Sequence, residues 1–264
     1  MEAIKKGSKG DAVKQLQNVL ISLGYSIVAD GDFGPKTETI VKDFQKKNGL
    51  VADGIVGQQT WNKLIVKESN TKQVDPSVVY NPINTHISKC TNRAIKYLVI
   101  HFTAGGNSKK GAAEQTRKVF LTRNASADFA VDDTTMLQIN PDLRNYYCWA
   151  VGDGNGKYGI TNKNSMSIEV CSTLQSGTTG AVPNHAGWTF TDAALNNTVK
   201  LCKILMKKYN IPLSNVIRHY DASRKSCPGI IGWNDGTLYD AKTGKSLGKK
   251  NTSEKWLEFK KRLS

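Results

Sequence analysis

The sequence predicts an α/β fold with a mixed central β-sheet flanked by helices, preceded by a small all-α module of three helices. Two observations lead to this prediction. Residues 1–66 carry helical apolar periods separated by Asp-Gly turns, whereas residues 86–264 alternate short apolar runs with amphipathic helices. Residues 67–85 lack periodicity and contain two prolines, which predicts a linker between the two parts.

Residues 1–66 contain an internal repeat. Residues 29–37 have the sequence Ala-Asp-Gly-Asp-Phe-Gly-Pro-Lys-Thr, and residues 52–60 repeat it as Ala-Asp-Gly-Ile-Val-Gly-Gln-Gln-Thr. Each copy predicts an Asp-Gly turn followed by a helix start, and Pro35 suits a first helical turn. Asp11 is expected to cap an earlier helix. The apolar faces of the three helices comprise Val13, Leu16, Leu20 and Leu23, then Thr37, Ile40, Val41 and Phe44, and then Trp61 and Leu64.

The second part interleaves strand and helix patterns. The predicted strands are a buried one over 95–100, a hairpin over 129–139 with its turn at 132–134, and two more over 146–151 and 166–171. The predicted helices are one over 109–121, a long one capped by Thr191, and a last one with apolar Trp256, Phe259 and Leu263. This order predicts a single α/β domain over residues 86–264.

Composition excludes several classes of protein. No apolar run is long enough for a transmembrane helix, so no membrane insertion is expected. The first residues, Met-Glu-Ala-Ile-Lys-Lys, lead into no apolar core of a secretory signal, so we expect synthesis in a cytoplasm. The five cysteines are odd in number and form no Cys-x-x-Cys pair, which favours reduced thiols over disulfides.

The formal charge of +15 is large and unevenly spread. Residues 1–66 carry nine Lys and Arg against seven Asp and Glu, a net charge of +2, which leaves +13 for the remainder. A positive field favours encounter with polyanions such as nucleic acid, anionic lipid or the anionic polymers of a bacterial wall. Neither an RNA-binding signature nor a zinc-finger spacing is present, and a solvated lysine surface explains the charge equally well.

Two histidines and one cysteine could form a metal site. His101 follows an apolar strand and precedes a Gly-rich loop, the position where α/β proteins tend to carry functional groups. His219 lies eight residues before Cys227. Three such ligands leave the fourth position of zinc open for water, as in a catalytic site. A lone histidine is more often structural, so spacing alone leaves both interpretations open.

Two charged residues are candidates for catalysis. Glu169 lies in a short apolar strand, where a carboxyl costs free energy unless it is paired or functional, and it could take a proton from zinc-bound water. Lys225, two residues before Cys227, could stabilise an oxyanion. An outward-facing glutamate and a solvated lysine are the alternatives. His86 and His185 are interpreted as surface residues, although His185 could contact substrate.

The first 66 residues resemble the widespread peptidoglycan-binding module. The similarity rests on three motifs: Gly-x-x-Gly-x-x-Val-x-x-Leu-Gln from Gly7 to Gln17, Asp-Gly-x-Phe-Gly from Asp30 to Gly34, and Asp-Gly-x-x-Gly-x-x-Thr-Trp from Asp53 to Trp61. The resemblance implies binding to bacterial peptidoglycan. Most of the glycines and apolar residues in these motifs serve the fold, so no contact residue is assigned.

Residues from about 95 to 231 resemble the zinc N-acetylmuramoyl-L-alanine amidases, a family that includes phage lysins, bacterial autolysins and peptidoglycan-recognition proteins. Four motifs occur in the family's order: residues 100–105 (Ile-His-Phe-Thr-Ala-Gly), 126–132 (Ser-Ala-Asp-Phe-Ala-Val-Asp), 164–169 (Asn-Ser-Met-Ser-Ile-Glu), and 219–229, with His-Tyr-Asp at its start and Lys-Ser-Cys-Pro-Gly at its end. The resemblance implies that His101, His219 and Cys227 bind Zn2+, that Glu169 is the catalytic carboxylate and that Lys225 is the transition-state lysine.

One motif departs from the family pattern. Many members have a histidine, often followed by a tyrosine, where this chain has Asp128 and Phe129. That histidine is not a metal ligand in the family, so the implied zinc site is unaffected. The substitution concerns local substrate contacts, and we assign these two residues no role.

The resemblance implies hydrolysis of the amide between the lactyl group of muramic acid and L-alanine, in a phage or prophage endolysin that a holin releases to the cell wall. A host autolysin of the same activity is the second interpretation. A non-catalytic recognition protein is a third, although such members typically lack the metal-binding cysteine. A cysteine peptidase that uses Cys227 and a nucleic-acid binder are further alternatives, separable by chelator sensitivity and by DNA retention.

Overall fold

The computed structural model describes residues 3–105, 107–152, 156–174, 187–240 and 243–264. They form two compact units, Met1–Gln73 and Val74–Ser264. The helices are α1 (Asp11–Ser22), α2 (Pro35–Lys47), α3 (Gln58–Lys72), α4 (Ala112–Val119), α5 (Asp192–Tyr209), α6 (His219–Ser223) and α7 (Glu254–Lys261). The strands are β1 (Val79–Tyr80), β2 (Ile87–Lys89), β3 (Tyr97–Phe102), β4 (Phe129–Val131), β5 (Met136–Gln138), β6 (Tyr146–Cys148), β7 (Ser165–Val170), β8 (Thr173–Leu174), β9 (Trp188–Thr189), β10 (Val216–Arg218), β11 (Thr237–Tyr239) and β12 (Ser246–Lys250).

The first unit contains helices α1 to α3, and a glutamine on α1 holds the first repeat turn. The side-chain amide of Gln17 donates to Asp30 Oδ1 at 2.7 Å and to the carbonyl oxygen of Asp32 at 3.0 Å. Gln17 Oε1 accepts the backbone N–H of Gly31 at 2.8 Å. Gly31 has φ +80°, so glycine is the residue that adopts this turn without strain.

The second repeat turn has the same construction on α2. The side-chain amide of Gln45 donates to Asp53 Oδ1 and to the carbonyl oxygen of Ile55, both at 2.9 Å. Gln45 Oε1 accepts the N–H of Gly54 at 2.9 Å, and Gly54 has φ +78°. The two nine-residue copies therefore form the same turn structure. In each copy a buried glutamine from outside the copy holds the turn by hydrogen bonds.

Of the two predicted helix starts in this unit, one agrees with the structure and one differs. Pro35 is the first residue of α2, as predicted, but the N-cap of α1 is Gly10, and Asp11 makes no capping hydrogen bond. Asp11 instead lies in the first helical turn, where its negative charge is favourable.

The predicted linker over residues 67–85 is wrong in most of its length. Helix α3 continues to Lys72, and β1 pairs in parallel with β5 at the edge of the main sheet. Val74 and Val78 are buried in the core of the second unit. The second unit therefore begins at Val74 and not at residue 86. A polar helical end and a two-residue edge strand carry no apolar period, so the pattern could not reveal them.

The second unit is built on a mixed sheet, as predicted. Among the described residues the sheet has six strands in the order β1-β5-β4-β7-β3-β10. The β4–β5 hairpin is antiparallel, and the other neighbours are parallel. Thr191 Oγ1 accepts the N–H of Ala194 at 3.2 Å and caps α5, which confirms the predicted cap.

Alternate residues of β3 face opposite sides of the sheet. Leu98 and Ile100 belong to the core that includes α5, and Val99 belongs to a separate cluster on the other side. His101 shares the Val99 side, because side chains two residues apart point the same way. The strand was predicted to end at Ile100, but it continues through His101 to Phe102.

Candidate metal centre and active site

Three neighbouring parallel strands bring the predicted site residues to one edge of the sheet. In the register of β3 and β7, His101 lies directly opposite Glu169. Strand β10 pairs with β3 so that Arg218 lies opposite Ile100, and His219 follows at once. Because the carboxyl ends of parallel strands meet at one edge, residues distant in sequence become neighbours there.

The structure brings His101, His219 and Cys227 together as a cluster that could hold a metal ion. One donor atom from each residue lies within 4.8 Å of the others. Cys227 Sγ is 3.8 Å from His101 Nδ1, and the two imidazole centroids are 4.3 Å apart. All three side chains are buried.

Helix α6 and the turn after it return the chain to the site. Arg224 has φ +67° and ends the helix, and the backbone N–H of Tyr220 donates to the carbonyl oxygen of Cys227 at 2.8 Å. This hydrogen bond links the first turn of α6, which begins with His219, to the loop that carries Cys227.

Arg218 fixes the corner between β10 and α6. Its guanidinium donates to both carboxyl oxygens of Asp221, at 2.9 and 2.7 Å. It also donates to Ser253 Oγ at 2.6 Å and to the carbonyl oxygen of Trp233 at 3.2 Å. The corner that precedes His219 is thus held by residues from the C-terminal part of the unit.

The donor set fits a zinc ion. Two imidazole nitrogens and one thiolate are borderline-soft ligands that zinc accepts, and three protein ligands leave its fourth position for water. His101 Nε2 is buried and has no hydrogen-bond partner among the described residues. Burial lowers the pKa of His101 well below its usual value, and the charges of His219 and Lys225 lower it further. The imidazole is therefore neutral, the form that binds metals.

Glu169 lies beside this cluster. Its Oε1 is 3.9 Å from His101 Nδ1, and its Oε2 is buried without a hydrogen-bond partner in the described part of the chain. Burial raises the pKa of the Glu169 carboxyl to about 8, while the positive charges of Arg123 and Lys225 oppose that rise. The interpretation of Glu169 as an outward-facing residue of an edge strand is wrong, since β7 lies between β4 and β3.

A groove of about 550 Å3 joins these residues to the surface. Glu169, Lys225 and the three candidate ligands line it, and so do residues that the sequence did not single out. The latter include Gln115, Arg123 and Trp149. No spacing connects them, because they come from α4, from the turn after it and from the end of β6.

Asp128 lies in the interior and away from the groove lining. Its carboxyl forms an ion pair with Arg93 at 2.9 Å, with both side chains almost fully buried. It also accepts the backbone N–H of Ser167 at 2.9 Å and the side-chain amide of Asn140 at 2.6 Å. The residue that departs from the family pattern thus joins β4, β5 and β7 from within.

The remaining predictions have mixed outcomes. His86 is half-buried, with Nδ1 2.9 Å from the carbonyl oxygen of Phe120, so its assignment to the surface is only partly right. His185 lies outside the described residues. The five cysteines, all within the described residues, take part in no disulfide. No helix in the described ranges has the length and apolar content to cross a membrane.

Fold and site together define an α/β protein with a His, His, Cys cluster that could hold a metal ion and a buried carboxyl beside it, at the carboxyl ends of the parallel strands. Residues 91–230 match the family model of N-acetylmuramoyl-L-alanine amidase, and residues 9–64 match that of the peptidoglycan binding domain. The first match spans more than half of the sequence, so the chain belongs to the N-acetylmuramoyl-L-alanine amidase family.

Individual relatives carry the same family name. N-acetylmuramoyl-L-alanine amidase CwlH of Bacillus subtilis (strain 168) is 33% identical over 135 residues, which are 50% of this chain and 46% of CwlH. CwlA of the same organism is 30% identical over 182 residues, which are 67% of this chain and 60% of CwlA. The solved catalytic domain of XlyA is 26% identical with a TM-score of 0.47, over 71% of this chain and 99% of that one. The chain spans about half the length of these curated relatives.

Proposed function

We propose that this chain is a zinc-dependent N-acetylmuramoyl-L-alanine amidase. Its substrate is bacterial peptidoglycan, and the bond is the amide between the lactyl group of muramic acid and L-alanine. The observation that carries the proposal is the convergence of three metal donors and the Glu169 carboxyl in one groove. Membership of the amidase family supports it.

His101, His219 and Cys227 hold the zinc ion in this proposal. Zinc supplies Lewis acidity toward the scissile carbonyl and toward the attacking water. The protein itself orients the substrate and excludes bulk water. The groove orients the amide, and burial of the three ligands keeps bulk water from competing for the site.

Glu169 moves the proton. Its Oε accepts a proton from the attacking water and then delivers one to the nitrogen of the departing L-alanine, so the carboxyl returns to its starting state. Its carboxyl lines the same groove as the three candidate ligands, and a positioned carboxyl of this kind is a usual general base and acid. Lys225 lines the same groove, and its charge stabilises the oxygen on which negative charge develops.

The contact of 3.8 Å between Cys227 and His101 also fits a cysteine peptidase with a thiolate–imidazole pair. The two functions differ in their response to a metal chelator. A zinc enzyme loses activity with a chelator and recovers it on addition of zinc, whereas a thiol peptidase keeps its activity in chelator.

The first unit has a separate role in this proposal. Residues 9–64 match the peptidoglycan binding domain, which supports docking on the wall. The excess of positive charge, +15 in all, supports additional attraction to anionic wall polymers. We assign the chain to the endolysins that lyse a bacterial cell from within, with a host autolysin as the alternative.

Mass spectrometry of digested walls tests the activity. The expected products are peptides with a free N-terminal L-alanine and glycan strands with intact lactyl groups. New reducing ends on the glycan, or cuts inside the stem peptide, contradict the proposal. Walls left unchanged by the zinc-loaded protein support instead a non-catalytic recognition protein.

A further inference from the structure

A two-stranded hairpin near the C-terminal end lies outside the region that matches the amidase family. The family match ends at residue 230, whereas β11 and β12 lie between residues 237 and 250. Within the described residues these two strands pair only with each other, and all five residues of β12 are exposed. The hairpin therefore adds no strand to the main sheet, and its surface is open to a partner.

Two buried asparagines hold the base of this hairpin. The backbone N–H of Asn251 donates to the carbonyl oxygen of Gly236 at 2.6 Å, and the N–H of Gly236 donates to Asn234 Oδ1 at 2.8 Å. The side-chain amide of Asn251 donates to the carbonyl oxygen of Ile230 at 3.1 Å, and that of Asn234 donates to the carbonyl oxygen of Pro228. An isolated two-stranded hairpin is only marginally stable in water. These contacts fix it to the loop that begins just after the candidate cysteine ligand.

The hairpin presents lysines that the protein leaves without acidic partners. Lys245, Lys249 and Lys250 are exposed, and none of them forms an ion pair within the described part of the chain. The acidic residue of the hairpin, Asp240, serves the turn, where its Oδ1 accepts the N–H and the hydroxyl of Thr243 at 2.7 and 2.8 Å. By sequence, residues 236–252 carry four lysines against one aspartate, a net charge of +3.

We infer that the hairpin β11–β12 binds an anionic phosphodiester polymer that is attached to the peptidoglycan. The inference rests on the proposed function, which brings this chain to the bacterial wall. Lysines that bind a polyanion release its counterions, which favours association and makes it depend on salt. Because the hairpin is fixed to the loop after the cysteine ligand, a polymer bound there keeps the catalytic unit close to the wall that carries the polymer.

Two other polyanions fit this surface less well. An anionic membrane also attracts lysines, but stable binding to it takes an apolar face or a second anchor, and the large apolar side chain that β12 exposes is Leu247 alone. Single-stranded nucleic acid stacks its bases on aromatic side chains, and the aromatic residue of the hairpin, Tyr239, is half-buried. A polyol phosphate chain has neither bases to stack nor tails to insert, so a polar basic surface matches it.

The test uses the full chain and two preparations of one bacterial wall that contains poly(glycerol phosphate). One preparation is intact, and the other is stripped of the polymer with hydrofluoric acid, which cleaves phosphodiesters. The variant replaces Lys245, Lys249 and Lys250 by glutamine, and sedimentation in the cold measures binding before digestion. At low salt we expect its affinity for intact walls to fall about tenfold and its affinity for stripped walls to stay unchanged. The slope of log affinity against log salt on intact walls should weaken by about one per lysine.

A control variant separates the hairpin from net charge. It replaces three exposed lysines elsewhere in the same unit by glutamine and so loses the same charge: Lys96, Lys163 and Lys203. It should keep most of its affinity for intact walls, because a docking surface depends on the position of its charges. Both variants should hydrolyse soluble muropeptides like the wild type, since none of the six lysines lines the groove.

Several outcomes overturn the inference. They are equal losses for the hairpin variant and the control, equal losses on both wall preparations, and no loss on either. A hairpin variant that loses affinity for phosphatidylglycerol vesicles or poly(uridylic acid) but keeps it for intact walls also overturns it. Self-association of that variant with unchanged wall affinity would assign the lysines to protection of the strand edge instead. Wall binding is measured without cleavage, so a wild-type protein that cleaves no muropeptide refutes the proposed function separately.

Discussion

At the scale of single residues, the three candidate ligands make a prediction about metal content. Replacing His101, His219 or Cys227 by alanine should remove most of the zinc, since each residue supplies one of only three protein donors. Activity should fall by more than roughly 100-fold, because even an outer-shell partner of a metal ligand is typically worth 10–100-fold. Elemental analysis and amidase assays on the same samples measure both effects.

Cys90 provides the matched control for the cysteine ligand. It is a half-buried free thiol whose Sγ is 3.8 Å from the carbonyl oxygen of Arg144, and it does not line the groove. Cys90→Ala should keep one zinc per chain and full activity. A Cys227→Ala variant that retains zinc and turnover would show that the thiol is not a ligand.

For Glu169 we predict an effect on the rate of hydrolysis without an effect on zinc content. Glu169→Gln keeps the size of the side chain but cannot accept a proton, so activity should fall roughly 10²- to 10⁴-fold while zinc and fold are retained. Glu114→Gln is the control, since this α4 carboxyl pairs with Arg117 one turn away and lies outside the groove lining. Steady-state kinetics measure the loss of rate, and elemental analysis shows whether zinc is retained. Near-normal turnover of Glu169→Gln would mean that another group transfers the proton.

The site residues differ in how far the sequence revealed them. The family pattern identified His101, Glu169, His219 and Cys227 as candidates, because they lie in consecutive family motifs at strand ends or in the loop after α6. Asp128 could be recognised as a departure but not interpreted, because its partner Arg93 is 35 residues away and no period connects them. Trp149 was only part of a predicted strand, and its hydrogen bonds to Ser88 and Ser126 come from segments distant in the sequence.

At the scale of elements, the repeat shows what a sequence pattern contains and what it omits. The Asp-Gly turns could be predicted because both copies have the same Ala-Asp-Gly sequence. The glutamines that hold them could not, because Gln17 precedes Asp30 by 13 residues and Gln45 precedes Asp53 by only eight. The two glutamines lie at different distances in sequence from their turns. Aligning the two repeat copies therefore does not bring the glutamines into equivalent positions.

The duplicated turn predicts two separable local effects. Gln17→Ala removes the acceptor of the Gly31 N–H, and Gln45→Ala removes the acceptor of the Gly54 N–H. Loss of a partner by a buried polar group costs about 1–3 kcal/mol, so each variant should lower the stability of the first unit by a comparable amount. Hydrogen exchange on the full chain should show faster exchange at Gly31 in the first variant and at Gly54 in the second.

Each glutamine variant is the control for the other. If both variants speed exchange equally at both glycines, the turns are not independent devices and the interpretation of the repeat is wrong. If neither variant changes exchange at its own glycine, the hydrogen bonds to glutamine contribute nothing to the turns.

At the scale of the whole molecule, the boundary between the units decides which fragment can be tested. A cut at residue 86 follows the sequence pattern but removes β1 and the buried Val74 and Val78. Each buried valine contributes about 1.5–3 kcal/mol by burial, so a fragment that begins at residue 86 should be markedly less stable than one that begins at Val74. Thermal unfolding of the two fragments measures the difference, and equal stability would mean that residues 74–85 add nothing to the stability of the core.

The last prediction is that the two units divide wall binding from cutting. The fragment Val74–Ser264 contains every candidate catalytic residue, so it should hydrolyse soluble muropeptides at close to the rate of the full chain. On intact walls it should be slower, most clearly at low enzyme concentration, because a tethered binding module raises the local concentration of substrate. Most of the +15 charge stays on this fragment and could retain it on an anionic wall.

Salt separates these two kinds of attraction. The Debye length is about 8 Å at physiological ionic strength, so moderate salt weakens long-range attraction to the wall while leaving a specific binding site largely intact. Under those conditions residues 1–73 alone should sediment with purified peptidoglycan, and the full chain should outpace the fragment in wall lysis. A fragment that lyses walls as fast as the full chain, together with residues 1–73 that stay in the supernatant, leaves the first unit without a binding role.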